Sequence, residues 1–218
     1  MRTQELMLPG LRLLAVYTDL AQRGAHLLEG ILKGQPPRQW AHYPPDDAMS
    51  ASGFQWFYHS HDPLDRAGAA EHGHLHIFAR RPLWARRLRS RDQRAFESLC
   101  GQVHANADTR HLLAIGLDAK GVPITLFTVN SWVTGDAMLN APLTLDLLRT
   151  MSLDTGYTEV DAVMESLVQL CQPELHQLLQ LRDHTLAAWH RADKLHDTEL
   201  EVLSEIRIDL DAKLSGGG

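Results

Sequence analysis

The chain has 218 residues and a net charge of −6, with 44% hydrophobic and 22% charged side chains, a balance that argues against nucleic acid as a partner and fits an ordinary globular protein. No apolar run reaches the ~18–20 residues that a bilayer crossing needs, and the amino-terminal segment is broken by Glu5, Pro9, Gly10, Arg12 and Asp19, unlike a secretory signal. Two cysteines, Cys100 and Cys171, without a CxxC pair give neither a thiolate metal site nor a disulfide framework.

Apolar residues from Leu11 to Leu32 recur at intervals of three and four, which predicts an amphipathic helix stopped by Gly34, Pro36 and Pro37. The segment RQWAHYPPDDAMSASG is rich in Pro, Asp, Ser and Gly and is expected to be a loop. Phe54–His61 and His72–Arg80 are rich in aromatic or β-branched residues and free of proline, as strands are. HLLAIGLD and VPITLFTVN, joined by AKG with Asp118 and Gly121 as turn residues, predict a β-hairpin. NSWVTGD then reads as a loop. Thr158–Cys171, Pro173–His190 and Asp197–Leu214 carry helical spacing, and Thr198 with Glu201 resembles a capping box for the last. The pattern predicts an α+β fold with a small, mostly antiparallel sheet in mid-chain, an N-terminal helix and a C-terminal helical region. One domain is expected over residues 1–214, with a flexible tail at 215–218, in a cytoplasmic protein.

Five of the thirteen histidines fall between His59 and His76. Alternate side chains of a strand share a face, so His59 pairs with His61, and His72 with His74 and His76. If the two strands form a hairpin, His59 lies opposite His74 or His76, and both registers gather the imidazoles on one patch. The expected metal ligands are His59, His61, His74 and His76, followed by His72 and Glu71 at the strand mouth. A thiolate-free site of imidazole and carboxylate suits a divalent ion, with iron or zinc leading and copper, nickel or manganese as alternatives. Asp161 and Glu165, one helical turn apart, form a further carboxylate pair expected to be solvated, and His104, His176, His184, His190 and His196 are read as structural.

The leading expectation is therefore a mononuclear, His-ligated metalloenzyme of the oxygenase, isomerase or hydrolase kind. Its partner would be a small-molecule substrate, an anionic one among the alternatives, with no nucleic acid and no membrane, and a homo-oligomer is left open. His72-Gly-His74-Leu-His76 also resembles the alternating motif of histidine-triad nucleotide hydrolases and transferases, in which the middle histidine attacks a phosphate. A non-enzymatic metal-binding or interaction protein is the third reading. Seven arginines from Arg80 to Arg94 read as a solvated helix face or as an anion clamp at the site's rim.

HYPPDD at His42–Asp47, SGFQWFYHSH at Ser52–His61, EHGHLHIF at Glu71–Phe78 and NSWVTGD at Asn130–Asp136 together resemble an uncharacterised bacterial family of unknown function. The resemblance implies that His42, Asp47, Asn130, Trp132 and Thr134 join the histidine face. His42, Glu71, Asn130 and Thr134 are the candidate catalytic groups.

Overall fold

The computed structural model describes residues 8–60, 71–100, 108–191 and 193–215. Its chain order is α1 (Pro9–Gln22), α2 (Leu27–Leu32), β1 (Tyr43–Met49), β2 (Phe54–Ser60), β3 (Gly73–Arg80), α3 (Arg81–Trp84), α4 (Arg91–Cys100), β4 (Thr109–Leu117), β5 (Pro123–Val129), α5 (Ser131–Thr134), α6 (Ala141–Arg149), α7 (Thr158–Leu170), α8 (Gln172–Ala188), β6 (Val202–Arg207) and α9 (Leu210–Leu214). The six strands form one antiparallel meander in the order β1-β2-β3-β4-β5-β6. This is the expected α+β fold.

Alternation divides the sheet into two unlike faces. Trp56, Tyr58, Leu75, Ile77, Leu113, Ile115, Leu117 and Leu126 are buried in one cluster with leucines and valines of α1, α2, α6, α7 and α8. The helices thus cover one side, and the opposite side carries Phe57, His59, His74, His76 and Ala114. The β4–β5 turn forms as expected, with Asp118 Oδ1 accepting from the N–H of Lys120 and Val122, both at 2.8 Å.

Several segments depart from the sequence reading. The first helix is two, separated where Gly24 adopts φ +65°, a left-handed conformation that ends an α-helix. The Pro-rich "loop" supplies edge strand β1, whose ladder is interrupted between Tyr43 and Ala48. Pro44 and Pro45 fall in that interruption, where no ladder donor is needed. NSWVTGD contains one helical turn, capped by the Asn130 side chain and ended by Gly135 at φ +73°. The arginine segment is a broken run of short turns before α4, with Trp84 buried. The expected last helix over Asp197–Leu214 is helical only at its end, as α9; its middle is β6, paired with β5 from Thr125↔Arg207 to Val129↔Val202. VLSEIRI fits period two as well as period 3.6, and the open backbone edge of β5 decides the outcome. Thr198 and Glu201 lead into strand β6 rather than a helix, so there is no helix start for them to cap, and Asp197 Oδ1 accepts the N–H of Glu199.

Asp161 and Glu165 are buried rather than solvated. Asp161 accepts hydrogen bonds from Trp56 Nε1 (3.2 Å), Thr155 N–H (2.8 Å) and Thr155 O–H (2.7 Å), tying β2 to the start of α7. Glu165 accepts from Leu153 N–H and from Arg12. Asp161→Ala strands three donors and is expected to lower stability by about 2–4 kcal/mol in urea unfolding, with Asp161→Asn losing less. A change below about 0.5 kcal/mol, the scale of an ordinary surface substitution, would remove this link from the account.

Candidate metal centre

β2 and β3 pair with His59 opposite His74 and Phe57 opposite His76. That register is one of the two expected, and it stacks the three imidazoles across a single ladder. Ring centroids are 4.3 Å apart for His59 and His74, 5.0 Å for His59 and His76, and 4.7 Å for His74 and His76. Each residue offers one ring nitrogen within 4.8 Å of the other two, and His59 Nε2 lies 2.6 Å from His74 Nε2. Zn–N bonds of ~2.0–2.1 Å in a tetrahedral shell set ligand nitrogens ~3.3 Å apart. The spacing therefore brackets what an ion requires.

All three rings are buried, His76 to 1% exposure. Phe57 stands 5.1 Å from the His76 ring, and Phe127 meets the His74 ring edge-on at 5.0 Å. His76 Nδ1 is engaged at 2.9 Å by His111 Nε2, while His76 Nε2 is buried without a hydrogen-bond partner among the described residues. An apolar-walled nitrogen lone pair beside two other imidazoles is what a bound cation would satisfy.

Glu71 reaches the same cluster from the mouth of β3. Its Oε1 lies 3.5 Å from His74 Nδ1, with both side chains 5% exposed. Room for its carboxylate comes from Gly116, the residue opposite His74 on β4, where a Cβ would overlap Glu71 Oε2. A carboxylate behind a ligating histidine fixes the ring and raises its basicity.

His111 was not among the residues singled out in the sequence. Between Ile77 and Phe78 the β3–β4 register shifts, so that Leu113 faces Ile77 but His111 faces Phe78. Leu112 is the extra residue, buried with Leu113 on the helix side. Strict alternation from Ala114 would have turned His111 toward the helices. The bulge turns it to the histidine face instead.

The remaining expected site residues divide between the rim of the cluster and other parts of the fold. His72 accepts or donates to Tyr58 O–H at 2.9 Å, and Tyr58 belongs to the helix-side core. The three alternating histidines of the triad motif therefore do not share one patch. His61 and His104 lie outside the described residues. His42 stacks on Phe57 at 3.8 Å and 7°, its ring 6.3 Å from that of His59. Its Nδ1 is 3.5 Å from Asp47 Oδ1, and Asp47 Oδ2 accepts from Gln55 Nε2. Burial holds the Asp47 carboxyl above its usual range despite His42. Asn130 donates to the carbonyls of Lys194 and Leu200, and Trp132 donates to Leu200, so this pair anchors the approach to β6. Thr134 Oγ1 accepts from Asp136 N–H. The arginines begin at the far end of β3, with Arg81 paired to Asp108 and Arg87 to Asp146.

Burial pushes the His76 imidazole well below its ordinary range, with the neighbouring histidines adding to the effect, and pushes His111 down to about 3, with Arg182 contributing. Both stay neutral where an unfolded histidine takes a proton near 6.5. Acidification therefore favours the unfolded chain: stability is full above ~6.5 and is lost as pH falls toward 3. In chelator-treated protein, each such histidine is expected to contribute a loss of about 1.4 kcal/mol per pH unit below ~6.5. Unfolding free energies of wild type and His111→Gln from urea titrations should diverge with that slope, and parallel curves would contradict it.

Among the described residues no helix is long and apolar enough to cross a membrane. No curated protein and no solved structure matches the chain. A family model described as a domain of unknown function (DUF6969) matches residues 10–208, and the chain belongs to that family.

Proposed function

We propose that the protein is a metalloenzyme with a mononuclear divalent ion, iron or zinc, held by His59, His74 and His76. The observation that carries the reading is the convergence of three buried ring nitrogens within 4.8 Å, with His76 Nε2 lacking a hydrogen-bond partner among the described residues. Nitrogen-only ligation suits zinc and ferrous iron and disfavours magnesium or calcium. Three ligands leave a coordination position open, as catalytic sites do.

When bound, the ion supplies Lewis acidity and a water of lowered pKa. The chain's own groups do the rest. Glu71, with Oε1 3.5 Å from His74 Nδ1, stands behind that ring and holds it in place. Phe57 and Phe127 keep bulk water from the imidazoles. His42, oriented by Asp47 and half exposed at the rim, is placed to pass a proton between the centre and solvent.

Charge selects the substrate class. Three neutral imidazoles leave the double charge of the ion uncompensated by its ligands, and Glu71 acts through His74 rather than directly. The open position therefore favours an anionic oxygen donor, such as the carboxylate or enolate of a small molecule. With the arginine run at the far end of β3, the ion itself is the anion-binding group.

Elemental analysis of purified protein is expected to find about one iron or zinc per chain. His59→Ala and His74→Ala should each weaken binding by at least ~100-fold, more than loss of an outer-shell partner does. Wild-type protein that carries no transition metal and takes up neither zinc nor ferrous iron on titration would end the proposal. A Gly116→Ala variant, which crowds Glu71 away from His74, should keep the ion but bind it ~10–100-fold less tightly. Unchanged affinity there would remove Glu71 from the centre.

A further inference from the structure

We infer that His111 is a positioning residue of the metal centre: it accepts a hydrogen bond from His76 Nδ1–H and thereby fixes the tautomer that points the His76 Nε2 lone pair at the ion. The inference rests on the proposed metal site and extends it to a residue outside the ligand set.

Neutral imidazole carries one proton on either of two nitrogens, and only the bare one can ligate. In His76 the two nitrogens have different surroundings. Nδ1 is 2.9 Å from His111 Nε2, whereas Nε2 has no partner among the described residues and sits beside His59 and His74, whose rings are 5.0 and 4.7 Å away. If Nε2 carried the proton, it would be a buried N–H aimed at other imidazoles with no acceptor, and the site would present a donor where a cation must bind. With the proton on Nδ1, His111 Nε2 accepts it, and His111 keeps its own proton on Nδ1. One arrangement strands a donor; the other leaves a lone pair for the ion.

The backbone supports this assignment. His111 reaches the histidine face through the register shift opposite Ile77 and Phe78, and its ring packs edge-on to Phe78 at 5.2 Å with only 4% exposure. Its Nε2 is directed at His76 Nδ1, so it does not compete as a ligand. The two outer-shell partners also differ in kind. His74 has the anionic Glu71 behind it, and His76 has a neutral imidazole. His76 thus stays a neutral donor, and the centre gains orientation there without further negative charge.

The test uses the full chain loaded with zinc. Long-range proton–nitrogen NMR spectra of imidazole-labelled wild type should show His76 with a protonated Nδ1 and a zinc-bound Nε2, and His111 unbound. An unprotonated His76 Nδ1, or zinc on His111, would overturn the inference. Competition with a chromophoric chelator then compares wild type with His111→Gln, which keeps an acceptor, and His111→Leu, which does not. The leucine variant should bind zinc ~10–100-fold more weakly, and glutamine should restore most of that loss. Leucine equal to wild type, or glutamine no better than leucine, would count against the positioning role. Should the leucine variant fail to fold, the wild-type spectra decide alone. A wild type that binds no zinc overturns the metal site itself, a result separable from any change between variants.

Discussion

Every ring nitrogen on the buried histidine face must find a proton donor, a proton acceptor or a cation, because an apolar wall supplies none of these. His59 and His74 meet each other, His74 meets Glu71, and His76 meets His111. Protonation is no escape, since burial holds His76 and His111 far below the ordinary histidine range. Among the described residues, His76 Nε2 is a buried ring nitrogen that finds none of the three. The chemistry of the site follows from that nitrogen.

A sheet can hold such a face only if its other side is secured independently. Helices α1, α2, α6, α7 and α8 bury the alternate leucines, isoleucines and aromatics of β2 to β5. The period of two then makes the register rigid, since a slip by one residue would drive imidazoles into the leucine core and leucines onto the polar patch. Asp161 adds a directional tie, reaching Trp56 from α7. The ligand geometry is thus set by packing on the side of the sheet that takes no part in the chemistry.

Much of this was legible in the sequence because strand alternation is a local rule. The spacing of His59, His74 and His76 puts them on one face of a hairpin, and Asp118 with Gly121 marks the turn that brings β5 back along β4. What escaped depends on information that is not local. β1 and β6 form because neighbouring strands offer unpaired edges, which outweighed the prolines in one case and a helical spacing in the other. His111 was hidden by a one-residue bulge, a feature the HLLAIGL pattern does not announce. His72 kept its place in the alternating motif yet left the face, since Tyr58 on the helix side offers its ring a hydrogen bond. Asp161 and Glu165 looked like solvent-facing carboxylates because helical spacing says nothing of the N–H and O–H groups that converge on them.

The broken ladder of β1 bears on the behaviour of many copies together. An outer strand with a regular row of free N–H and C=O groups is a template on which another chain can add, and continuous addition leads to fibres. Here the outermost strand meets its neighbour at Tyr43 and then not again until Ala48, with two prolines that lack an N–H between them. A foreign strand approaching from that side finds no run of donors to copy, so the same irregularity that disguised β1 as a loop keeps the sheet from growing outward.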